Sequence, residues 1–205
     1  YDKLHNSFEG FIKDDKINVE IHFSVTNMKG IRKTPRIDFT DPNDPTRDVS
    51  LVINGEKIHV NKAYLALHSP FFKAMFYENF KEKNKSEIEL KNIDLKEFIE
   101  MLHVIYPSIK EIRDVSAAYL LKLGDRFQIE MVTDRIEQFL VVSSNLTVPE
   151  KLRLSDQYRL INLQYHCFSE LNTAKDFRDV KESSIYNGLS DATKIDLSEQ
   201  MAKTV

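Results

Sequence analysis

The sequence holds a single cysteine, Cys167. No disulfide can form within the chain, and a cysteine-based zinc site is excluded. That usage suits a reducing compartment, cytoplasm or nucleus. Glycine is scarce too: five residues, scattered, leave no glycine-rich phosphate loop and no GxSxG nucleophile elbow. No apolar run approaches the roughly 18 residues that suggest a membrane-spanning helix. No charged-then-apolar leader opens the chain, which begins at Tyr1 and is expected to be a piece of a longer protein. Without such a leader the sequon Asn145-Leu146-Thr147 carries little weight. The net charge of −3 speaks against a nucleic-acid binder, whose affinity rests on neutralising phosphates.

Catalytic candidates fail on spacing. The six histidines are His5, His22, His59, His68, His103 and His166, and none makes a repeating metal-ligand pattern with a carboxylate. His166 and Cys167 are neighbours, so on a helix they point about 100° apart and do not form a nucleophile–base pair. A buried thiol is the expectation for Cys167, and His103 is expected on the face of its helix away from the apolar stripe. No enzyme, cofactor or metal is expected.

What is present is an ordinary folded composition, 41% hydrophobic and 30% charged. Ile17, Val19, Ile21, Phe23 and Val25 alternate with polar residues as in one strand. Residues 29–46 read as a linker broken by Pro35, Pro42 and Pro45, with "RIDF" as a possible short strand. Beyond it "DVSLVINGEKIHV" is a hairpin around a type I′ Asn54-Gly55 turn. "KAYLALHS" is a short helix, and Ser69-Pro70 opens a second one with Phe71, Phe72, Met75 and Phe76 on its apolar face. "SEIELKN" follows as a strand. Asp94 with Glu97, Asp114, and Thr147 with Glu150 are expected to cap later helices. Further helices run through Ile129–Phe139 and Leu163–Phe168, and over 190–201.

One stretch stands out. Residues 78–86, "ENFKEKNKS", place Phe80 among charges between a helix and a strand. The lysines Lys81, Lys83 and Lys85 are diluted by Glu78, Glu82 and Glu87, so the stretch reads as a solvated loop. Phe80 can fold back onto Phe76 four residues earlier, or it can anchor a partner.

The segment "DVSLVINGEKIHVNKAYLALHSPFFKAMF" resembles the BTB (POZ) domain and its "HKxxLAxxSxxFxxMF" pattern. Asp48, Lys62, Leu65, Ala66, Ser69, Phe72, Met75 and Phe76 fit, while Asn61 stands where the family commonly has histidine. The resemblance continues to about residue 143. "GFIKDDKINVEIHFSV" is similar to the last hairpin and strand of a MATH domain, and residues 148–205 look like a BACK-type extension, "KLRLSDQYRL" matching its first helix pair. "LHVIYPS" resembles the nematode set of such proteins. The implied architecture is a MATH remnant at 1–28, a linker at 29–46, a BTB domain at 47–143 and BACK-like helices at 144–205. The implied fold class is α+β, a helical cluster flanked by short strands and followed by an all-helical extension. The resemblance further implies a homodimeric substrate adaptor of cullin-3 ubiquitin ligases, with its substrate held by the MATH portion that precedes Tyr1. Asp48, Lys62, Tyr64, Leu65 and Leu67 would face the second copy. Tyr77, Phe80, Lys81 and Glu82 would meet cullin-3, the last three as a Phe-x-Glu motif. The prolines of 29–46 rule out the extra amphipathic helix that often widens such dimers, leaving "RIDF" as a candidate exchanged strand. A BTB scaffold in transcriptional or cytoskeletal regulation, without cullin, is the competing expectation.

Overall fold

The structure, a computed structural model, describes residues 37–78, 85–108 and 110–204. The strand expected at 17–25, the MATH remnant and residues 80–82 lie outside them.

Strands β1 (Val49–Ile53) and β2 (Glu56–Val60) form the expected hairpin, with Leu51 opposite Ile58 and Val49 opposite Val60. Asn54 and Gly55 both take positive φ, 52° and 85°, as a type I′ turn requires. Strand β3 (Glu87–Leu90) pairs with β1 in parallel, Leu51 beside Ile88 and Ile53 beside Leu90, giving the order β2-β1-β3. A parallel pair needs a long crossover. Helices α1 (Lys62–His68) and α2 (Pro70–Tyr77) lie within it.

The buried faces of these strands close over an aromatic cluster. Phe72 of α2 stacks on Phe76 at 5.6 Å and on Phe127 at 5.1 Å, and Phe98 meets Phe127 edge-on at 5.4 Å. Phe98 belongs to α3 (Leu95–Ile105), and Phe127 ends α4 (Asp114–Arg126). Ser69, between α1 and α2, is fully buried. Its hydroxyl accepts from the Phe72 amide at 3.0 Å, capping α2, and donates to the Phe127 carbonyl at 2.6 Å. Helix α5 (Glu130–Val142) then packs back along α4, so close that a Cβ on Gly124 would come within 3.2 Å of Val132 and Thr133.

The extension is a helical stack. Helix α6 (Val148–Tyr158) begins with the expected box, Thr147 donating from its amide and its hydroxyl to Glu150. Helix α7 (Ile161–Glu170) folds back on it and buries Leu163 and Cys167. Helices α8 (Ala174–Glu182) and α9 (Asp191–Thr204) complete it. Asp156 of α6 holds the start of α9, accepting from the Ser190 amide at 2.8 Å, the Ser190 hydroxyl at 2.5 Å and the Thr193 hydroxyl at 2.6 Å. Partial burial pushes the Asp156 carboxyl up, but the hydrogen bonds from Ser190 and Thr193 outweigh it and hold it below its usual range.

Several expectations change. "RIDF" forms no strand over its described residues: Ile37 and Asp38 are irregular and Phe39 begins a turn. Phe39 is buried against Tyr106 at 5.1 Å, and its carbonyl accepts from the His59 amide at 2.7 Å on the outer edge of β2. Phe39 is thus packed at the edge of the sheet, whereas residues 40–43 after it are exposed. Asp114 does not cap α4; it is the first helical residue, and its carboxylate accepts from the Ser144 hydroxyl and the Asn145 amide across the α5 terminus. The Ser116 hydroxyl accepts from the Arg113 amide instead. Asp94 caps α3 by accepting from both Lys96 and Glu97, without a return bond from Glu97. Helix α8 was not expected, although Thr173 and Asp176 form a reciprocal box before Phe177 and Val180.

Ser69→Ala leaves the Phe127 carbonyl and the Phe72 amide without this partner inside the core, so a loss of about 2 kcal/mol is expected in urea denaturation. Asp156→Ala should raise hydrogen exchange across α9 while leaving α3, α4 and α5 protected.

Candidate docking surface

Two neighbouring surfaces carry the residues singled out from the sequence. The first is α1. Asn61 caps it by accepting from the Tyr64 amide at 2.8 Å, and its side chain donates to the Thr46 carbonyl at 2.8 Å. Asp48 accepts from the Lys62 amide at 2.7 Å. The Lys62 ammonium reaches instead toward the Lys85 carbonyl at 3.4 Å. Asp48, Asn61 and Lys62 therefore meet, but through the backbone of Lys62 rather than as an ion pair.

Along α1 the side chains divide by face. Tyr64 is half-buried, donating to the Ile105 carbonyl at 3.0 Å and lying against the rings of Tyr106 and His68 at 4.5 and 4.9 Å. Leu65 is 0% exposed, so its expected place on a dimer face is corrected: it belongs to the core, because helical geometry turns it to the opposite side from Leu67. Leu67 is 76% exposed, a large apolar side chain in solvent. A cleft of about 720 Å³ beside it is lined by His68, Pro70, Gln128, Glu130 and Asp134.

The second surface begins where α2 ends. Phe76 is buried, and Tyr77 next to it is 47% exposed with its ring edge-on to Phe76 at 6.5 Å. Glu78 ends the helix, its amide bonded to the Ala74 carbonyl at 3.0 Å. Phe80, Lys81 and Glu82 lie outside the described residues, which resume at Lys85 just before β3.

Sequence reasoning missed two further groups. Glu100 of α3 accepts from Tyr119 of α4, from Lys110 at 2.7 Å and from Arg113 at 3.5 Å, pinning the connection between the two helices. Burial pushes the Glu100 carboxyl up, but the bonds from Lys110 and Tyr119 outweigh it and leave it lowered. Burial and the bond to Glu100 push Tyr119 up to about 12. No local pattern announces this cluster, since its members come from three separate segments. The other group centres on His103, which does not face away from packing: its ring meets Phe39 edge-on at 5.3 Å, brought there by the segment before β1.

Among the described residues no group of three or more His, Cys, Asp or Glu side chains is placed to hold a metal ion. Cys167 is buried, and burial pushes its thiol up to about 12, far from the thiolate that nucleophilic chemistry needs. No helix among the described residues is long and apolar enough to cross a membrane.

The BTB/POZ domain family matches residues 40–144. BTB and MATH domain-containing protein 38 of Caenorhabditis elegans is 40% identical over 205 residues, which is 100% of this chain and 52% of that protein. BTB and MATH domain-containing protein 36 of the same organism is 36% identical over 89% of this chain and 57% of its own length. The chain thus spans about half the length of the curated relatives it matches. The solved BTB domain of human gigaxonin aligns over 47% of this chain and 79% of its own, at 24% identity and a TM-score of 0.40.

The Glu100 cluster has a pH signature. The lowered Glu100 carboxyl contributes stability above its usual range and loses it as the pH falls through the folded value. Tyr119, raised from 10.0 to about 12, contributes fully below pH 10 and loses its contribution as the pH rises toward 12. Tyr119→Phe should remove that alkaline loss, read as thermal unfolding midpoints followed from pH 9 to 12.

Proposed function

Because the chain belongs to the BTB/POZ family, in its MATH–BTB branch, we propose that it is the self-associating and cullin-docking part of a substrate adaptor for a cullin-3 ubiquitin ligase. A BTB adaptor acts by binding other proteins. In this reading the substrate is held by a MATH portion, most of it before Tyr1. Residues 144–205 are a BACK-like extension. The protein works in the cytoplasm or nucleus and needs no cofactor.

The observation that carries the reading is the setting of the Phe-x-Glu sequence. Phe80-Lys81-Glu82 follows a helix whose last turn buries Phe76 and leaves Tyr77 half in solvent, and it precedes β3, an edge strand paired in parallel with the central β1. With Phe76 already packed between helix and core, the bland role for Phe80, covering its own helix, has less to offer. Phe80 serves as an apolar anchor, Glu82 accepts from a donor of the partner, and Tyr77 extends the contact. The surrounding lysines and glutamates form the polar rim.

Self-association uses the outer face of α1. Leu67 supplies exposed apolar surface, with Tyr64 beside it and Asp48 and Lys62 at the helix start. This observation also favours the scaffold reading, in which the dimer forms and cullin is not bound.

Phe80→Ala and Glu82→Lys should each weaken binding to the N-terminal helices of cullin-3, the first by about thirtyfold, as loss of an anchor worth ~2 kcal/mol implies. Unchanged affinity in a calorimetric titration of folded variants would leave the scaffold reading in its place. Leu67→Asp should turn a dimer into a monomer in light scattering at micromolar concentration, with the circular dichroism spectrum preserved. A wild-type monomer under those conditions would end the dimer reading.

A further inference from the structure

We draw no further inference here: the strongest candidate, the apolar groove on the outer face of α9 lined by Tyr186, Lys194, Ile195, Ser198 and Ala202, carries nothing because nothing in the structure shows what covers it.

Discussion

The buried hydroxyl of Ser69 is the joint on which this fold turns. It satisfies two backbone groups further along the chain, the Phe72 amide three residues on and the Phe127 carbonyl 58 residues on. Each would be costly to leave without a partner in an apolar interior. By meeting both, it holds the corner between α1 and α2 against the corner between α4 and α5. The stacked rings of Phe72, Phe76 and Phe127 fill the space that this closure creates. A different residue at 69 would have to satisfy the same two groups.

That joint explains how the two surfaces of α1 and α2 can be presented at all. A short helix is marginal by itself and owes its stability to tertiary packing. Here Leu65 and Phe72 enter the core, and the same helices therefore turn Leu67 and Tyr77 outward in a fixed direction. The polar start of α1 is equally determined, with Asp48 and Asn61 meeting its first amides and Thr46 receiving the amide group of Asn61. An exposed apolar side chain on a rigid element has less freedom to lose on binding than one on a flexible loop.

The extension is joined to the domain by polar contacts of a different kind. Asp114 receives Ser144 and Asn145 where α5 ends, and Glu137 receives the Leu163 amide and Asn162 at the start of α7, while within the extension Asp156 receives the start of α9. Each is a carboxylate accepting at a helix start or loop, where free amides need an acceptor. Lys151 is the exception in this layer: 5% exposed, on the packed side of α6. Its long stem supplies apolar surface as a leucine would.

Much of the fold was legible because local chemistry speaks directly. The alternation of Val49, Leu51 and Ile53, the Asn54-Gly55 turn, Pro70 after Ser69 and the Thr147–Glu150 box each specify an element within a few residues. Periodicity also placed Phe72 and Phe76 on the buried face of α2. The residues proposed for docking were suggested only by family resemblance, since a phenylalanine among charges has two local readings. Where local reasoning failed, a distant partner had intervened. Asp114 has the residue type of a cap, but Ser144 and Asn145 claim its carboxylate. Phe39 has the pattern of a strand, but Tyr106, His103 and the edge of β2 draw it into a turn. Leu65 and Leu67 differ by two positions and look alike in sequence, and only the packing of α1 decides which one faces solvent. The sequence by itself therefore determined the hairpin and its turn, most of the helices, the caps at Asp94 and Thr147 and the absence of a disulfide within the chain, all short-range matters. The tertiary structure decided the parallel pairing of β1 with β3, the Glu100–Tyr119 cluster and the choice of exposed face, because each depends on groups that no local rule brings together.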